Sequence, residues 1–221
     1  MTSALRPIEA ISLTDEAFER LVQAITTGEY GPGQKLSEPE LAAKLGISRV
    51  PLREALNRLE GKLISRTPRL GARVIEVTQS TLEQLYFVRE ALEGMAARLA
   101  AENASDQELA NLSNLLGLEQ TRYGRNAHKT YLAAEDEDFH FAIAHAAKAE
   151  QLKKVLLETV YYQLRIHRAR ARIAPGRAKA AMGEHREVAA ALQARDPGRA
   201  EWAMREHIRI SRLNLMANLK T

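Results

Sequence analysis

"KLGISRVPLREALNRLE", residues 44–60, opens on a Gly-Ile turn and passes through Ser48 into a run with helical spacing. Leu52, Ala55, Leu56 and Leu59 recur at intervals of three and four, which gathers them on one helical face, while Arg49, Arg53 and Arg58 fall off that stripe. Ser48 is a cap residue and Pro51 lies in the first turn, so the helix is expected to run from Ser48 to about Gly61. Immediately upstream, "SEPELAAKLG" places Ser37 and Glu40 in capping-box spacing and closes at Gly46. Two short helices joined by a glycine turn predict a helix-turn-helix.

Working outward, apolar residues at 13, 17, 18, 21, 22 and 25 predict a preceding helix from Ser12 to about Thr27, stopped by "GEYGPG". On the other side, "LISRTPRLGARVIEV" has β-branched runs flanking Pro-Arg-Leu-Gly, the pattern of a small hairpin or wing. Beyond Thr78 the texture changes to amphipathic helices, expected near 80–102, 105–124, 127–147, 150–173, 176–194 and 197–219, with Ser80 and Glu83 spaced as a capping box for the first. The expected architecture is mostly α: a winged helix-turn-helix over residues 1–77, then an all-helical bundle over 78–221.

Charge is unevenly spread. Between Lys44 and Arg73 stand eight basic residues (Lys44, Arg49, Arg53, Arg58, Lys62, Arg66, Arg69 and Arg73) against Glu54 and Glu60, a surplus of six where the whole chain has +4. A solvated basic face would satisfy that excess alone, but on a helix-turn-helix it points to nucleic acid. Ser48, Arg49 and Arg53 occupy the end of the helix that meets base edges in a major groove. An arginine fork there can hold guanine O6 and N7. Arg66, Arg69 and Arg73 in the hairpin would lie against phosphate or the minor groove, with Gly71 allowing close backbone approach.

The absence of cysteine excludes disulfides, thiolate-ligated zinc and a cysteine nucleophile. No basic leader with an apolar run begins the chain and no apolar stretch is long enough to cross a bilayer, so a cytoplasmic protein without membrane partners is expected. A phosphate-binding glycine loop, a nucleophile elbow and His-Glu-x-x-His are all missing, and only Glu137 with His140 fits the Glu-x-x-His unit that a di-iron bundle needs twice. An enzyme is therefore the weaker reading.

The bundle's histidines hold the remaining chemistry. A lone histidine on a helix is usually a surface or core polar residue, but Asp136 and His140 are four apart and share a face with apolar neighbours. His185 and His207 fall on two further predicted helices, each flanked by apolar residues at helical spacing. If these four converged they would suit a divalent transition metal, with open positions for a ligand. Asp138 is a rival carboxylate, disfavoured by its two-residue offset from His140. His145 and His167 read as structural or surface residues and His128 as an exposed loop residue. Arg89 either pairs with Glu93 one turn away, faces a ligand, or does both.

"ITTGEYGPGQKLSEPELAAKLGISRVPLREALNRLE" followed by "RLGARV" resembles the winged helix of the GntR family of bacterial transcription regulators over about residues 10–77. From about Thr81 to Met216, "VREALEGMAARLAAE", "DEDFHFAIAHAA", "EHREVAAAL" and the histidine of "REHIRIS" resemble the FCD effector domain of the FadR subgroup. The resemblance implies a dimeric, ligand-responsive DNA-binding regulator, by expectation a repressor rather than an enzyme. Its partners would be double-stranded operator DNA, a second copy of the chain and a small carboxylic acid. DNA contacts would fall on Ser48, Arg49, Arg53, Arg69 and Gly71, the metal ligands on Asp136, His140, His185 and His207, and an effector contact on Arg89. Zn²⁺ or Ni²⁺ is the expected metal, with Mn²⁺ behind them. The chain departs from the pattern at Pro39, where many relatives carry a DNA-touching arginine, at "LEGKLIS", one residue shorter than usual, and at Glu150, where Gly-Asn is common.

Overall fold

The structure, a computed structural model, describes residues 12–68, 71–125, 139–168 and 177–218. Two compact units meet in sequence between Glu76 and Val77. In the first, α1 (Leu13–Thr26) starts where the Ser12 hydroxyl accepts the Asp15 backbone N–H at 3.1 Å, and it buries Ala17, Phe18, Leu21, Val22 and Ile25. Helix α2 (Glu38–Leu45) carries Pro39 in its first turn and ends at Gly46, whose φ of +67° is a left-handed cap that favours glycine. Helix α3 (Arg49–Leu59) follows, with Leu52, Ala55, Leu56 and Leu59 wholly buried. Ser37 and Ser48 are the N-caps of α2 and α3, but neither hydroxyl makes a capping bond, so the expected Ser37 box does not form.

The wing is present and has a third strand. β1 (Lys35–Leu36), β2 (Ile64–Thr67) and β3 (Gly71–Val74) form an antiparallel sheet in the order β1-β3-β2, with Thr67 opposite Gly71 and Leu36 opposite Ala72. The short "LEGKLIS" entry is closed by Gly61, at φ +76°, whose N–H donates to the Ile64 carbonyl at 2.9 Å. Leu63 and Ile64 thereby reach the core.

In the second unit α4 (Gln79–Asn103) and α10 (Pro197–Asn218) run antiparallel, as the pairs Gln79–Met216, Glu83–Arg212 and Arg98–Glu201 show. Ala96, Ala97, Ala100 and Ala101 are buried on α4, and a Cβ on Gly94 would lie 2.6 Å from Arg205 Cγ. Small side chains are what let these helices approach. The cap of α4 is Thr78, bonding the Thr81 N–H at 3.1 Å, in place of the expected Ser80. Around this pair stand α5 (Asp106–Arg125), α6 (Phe139–Ala146), α7 (Glu150–Val155), α8 (Tyr161–Arg168) and α9 (Arg177–Gln193).

The stretch expected as one helix over 150–173 is interrupted, between α7 and α8, by a π-helical turn at Leu156–Val160. Tyr161 donates its N–H to the Leu156 carbonyl, five residues back, and its side chain is buried. Two helix ends use long cations at positive φ in place of glycine: Lys148 (φ 56°) and Arg195 (φ 53°). Lys148 reaches Glu108, while Arg195 reaches the Ala104 carbonyl and Asp106. Glu150, just past the first of these ends, pairs with Lys153.

Candidate DNA-reading helix and histidine centre

Ser48, Arg49 and Arg53 stand exposed on the first turn and a half of the third helix, opposite its buried stripe. Arg53 Nε donates to Glu38 Oε2 at 2.7 Å, a pair open to solvent on both sides. Several neighbouring cations serve the fold itself. Arg58 bonds Asp15 at 2.5 Å and covers the Phe18 ring, Arg66 bonds Asn57, Arg73 donates to the Gly33 carbonyl at 2.9 Å, and Lys44 donates to Tyr30 Oη at 3.1 Å. The basic cluster read from sequence thus divides into cations that fasten the fold and Arg49 and Arg53, which stand exposed at the head of α3. Gly71 has φ +83°, and a Cβ there would meet only Lys35 Cε at 3.8 Å, so backbone conformation rather than crowding calls for glycine. Arg69 lies outside the described residues, as do Asp136, Asp138 and His128.

In the bundle, His140 on α6, His185 on α9 and His207 on α10 are buried together, with one ligand atom from each within 4.8 Å of the others. His185 Nε2 and His207 Nε2 are 3.3 Å apart. Two imidazoles bound to one tetrahedral ion at the usual ~2.0–2.1 Å would hold their nitrogens at about the same separation. Phe139 stacks on the His185 ring at 4.9 Å and walls one side. The donor set and spacing fit a divalent transition metal.

Carboxylates stand behind two of the rings. His140 Nδ1 lies 2.5 Å from Glu93 Oε2, and His207 Nδ1 lies 2.7 Å from Glu184 Oε2. Glu93 in turn accepts from Arg89 Nε and from Tyr161 Oη at 3.0 Å, and Arg89 Nη2 donates to Tyr161 Oη at 3.2 Å. Glu184 accepts a two-pronged contact from Arg177 at 2.6 and 2.7 Å, and Arg177 also donates to Ser211 Oγ at 2.7 Å. Burial pushes the Glu93 carboxyl up, but Arg89 and His140 outweigh it and hold the group at about 2. Burial likewise opposes ionisation of Glu184, and bonds from His207 and Arg177 bring it to about 2. His207 is held well below the ordinary imidazole value, first by burial and, against its bond to Glu184, by the charges of His185, His140 and Arg89.

Of the expected site residues, then, His140, His185 and His207 converge, and Arg89 is buried in the adjoining network, paired with Glu93. His145 is exposed on α6. Sequence reading missed Glu184, Tyr161 and Arg177, and saw Glu93 only as a partner for Arg89. The one available signal was Glu184 beside His185 in "GEHREV".

A winged helix with exposed arginines at the head of its second motif helix, joined in one chain to a helical domain with a polar centre, defines a DNA-binding transcription regulator. The chain belongs to the GntR family of bacterial regulatory proteins, whose model matches residues 13–74, and carries an FCD domain matched over residues 84–210. It is 44% identical over 131 residues to the Nta operon transcriptional regulator of Aminobacter aminovorans, a match covering 58% of this chain and 60% of that one. It is 29% identical over 154 residues to a probable D-xylose utilization operon transcriptional repressor of Paenarthrobacter nicotinovorans, covering 69% of this chain and 67% of that one. Among solved structures, E. coli McbR/YncC superposes with a TM-score of 0.77 at 26% identity, over 96% of this chain and all of that one.

Proposed function

We propose that this regulator is a homodimeric repressor that binds a pseudo-palindromic operator and senses a small carboxylic acid at a metal held in its helical domain. In this reading residues 1–77 contact DNA through Ser48, Arg49, Arg53, Arg69 and Gly71, and residues 78–221 dimerise and sense. The metal, Zn²⁺ or Ni²⁺ before Mn²⁺, would be held by His140, His185 and His207 with Asp136 as the fourth ligand. When bound it supplies a positive Lewis-acid centre for a carboxylate oxygen. Arg89, the effector contact in this reading, is paired with Glu93 and would add positive charge near the acid from that fixed position. Two-fold symmetry of the protein would match two-fold symmetry of the operator, and the acid would act by its differential affinity for two arrangements of the DNA-binding units. Such a protein works in the cytoplasm; among the described residues no helix is long and apolar enough to cross a membrane.

The observation that carries this reading is the convergence of three buried imidazoles from three helices, with two of the ring nitrogens spaced as ligands of one tetrahedral ion. The repressor sign follows the description of the D-xylose relative. Elemental analysis of protein purified without chelator or a metal-binding tag tests it first, beside thermal shift against a panel of small carboxylic acids. About one metal per chain and a metal-dependent shift by particular acids is the expected result. No metal, and no shift after Zn²⁺, Ni²⁺ or Mn²⁺ is added, would reduce the domain to a structural one.

A further inference from the structure

We propose that Glu93 and Glu184 are positioning residues for the histidine centre, each anchored by an arginine of its own, Arg89 and Arg177. The proposal rests on the reading that the three histidines hold a metal. Its basis is a repeated arrangement: His140–Glu93–Arg89 and His207–Glu184–Arg177 are two chains of the same kind, built from different helices. Glu93 on α4 holds a ring from α6, and Glu184 on α9 holds a ring from α10. In both, the carboxylate meets Nδ1 and leaves Nε2 for the centre, where His207 Nε2 already faces His185.

The tautomer is what such a contact decides. A neutral imidazole carries one N–H, and an ionised carboxylate accepts but cannot donate, so the proton stays on Nδ1 and the lone pair on Nε2 points inward. A carboxylate outside a metal-bound histidine also raises the ring's basicity toward the metal. Arg89 Nε and the Tyr161 hydroxyl fix the Glu93 carboxylate in place, and Arg177 fixes Glu184 with both guanidinium prongs. An ion pair that served only the fold would have no reason to end, twice, on the Nδ1 of a clustered histidine.

Zn²⁺ affinity of the full chain, measured by competition with a chromophoric chelator, separates the possibilities for wild type, Glu93→Gln, Glu184→Gln and His185→Ala, with the Co²⁺ visible spectrum of each as a second readout. Glutamine keeps the shape and removes the charge. Both glutamine variants should bind Zn²⁺ about 10–100-fold more weakly, the usual cost of losing such an outer partner. Their Co²⁺ bands should also move, while far-UV circular dichroism shows the helices intact. Wild-type affinity and spectrum in folded Glu184→Gln would overturn the proposal and leave the metal reading standing. Should Glu93→Gln not fold, Glu184→Gln decides alone, since Glu184 is part-exposed and its loss leaves the α4 network untouched. If wild type binds no more tightly than His185→Ala, the metal reading falls and the positioning role falls with it.

Discussion

Arg53–Glu38 in the winged helix and Arg89–Glu93 in the bundle are the same chemical pair put to opposite uses. The first is open to water, with side chains 60% and 28% exposed, and the second is closed to it, at 2% and 2%. In water two charges lose little by separating, and an exposed pair contributes ~0–1 kcal/mol. Arg53 can therefore leave Glu38 for a guanine or a phosphate at small cost. Away from water, breaking one partner strands the other, so Arg89 is fixed where it stands. One arginine can exchange its partner at small cost, and the other cannot.

The difference is broken most severely at the buried end. Glu93→Ala would leave the Arg89 charge unpaired in the interior and remove the His140 partner, at a cost of about 3–5 kcal/mol to the metal-free protein. Urea unfolding in chelator measures this; a loss under ~1 kcal/mol would mean that water reaches Arg89 and the contrast is false. Arg53→Ala is next in size. It should weaken operator binding by about 1–3 kcal/mol, the worth of one bidentate base contact, while stability changes by less than ~1 kcal/mol. Unchanged affinity in a gel-shift titration at fixed salt would remove Arg53 from the reading set. Smaller still is Glu38→Ala, which frees Arg53 without altering it. Operator affinity should rise by less than ~1 kcal/mol, whereas a fall would show that Glu38 aims the arginine.

The two regions also differ in how far they could be read from sequence. The helix-turn-helix is local: the Gly46 turn and the 52/55/56/59 periodicity placed its helices, although the Ser37 and Ser48 hydroxyls expected as caps make no capping bond. β1 escaped because two residues cannot display an alternation, and its place depends on pairing with Arg73 and Ala72. Thr78, Ser80 and Thr81 crowd the start of α4, and sequence does not rank three hydroxyls as caps. The π turn at Leu156–Val160 preserves an apolar pattern that reads as continuous helix, yet it lies just before Tyr161, which meets Glu93. For the candidate site, the histidines were legible through their helical flanks and the family resemblance. Glu184 was not, because its partner is on α10, 23 residues away, rather than its neighbour His185. Charge pairs between helices leave no spacing rule in a sequence.

Acid should expose the closed region before the open one. His207 is held below the ordinary imidazole value of 6.5, so between that lowered value and 6.5 the unfolded chain binds a proton that the folded chain does not. Stability must then fall as pH drops through this window, since it rises with pH wherever the unfolded state is the better proton binder. Glu93 and Glu184 act in the same direction lower down, from the ordinary 4.5 toward about 2. Urea midpoints of metal-free protein should therefore be lower at pH 5.5 than at pH 7.5. With Zn²⁺ present the fall should steepen, because ligation also requires unprotonated imidazoles. A midpoint that is flat or higher at pH 5.5 would mean that the folded bundle accepts the proton, contrary to the lowered His207 value.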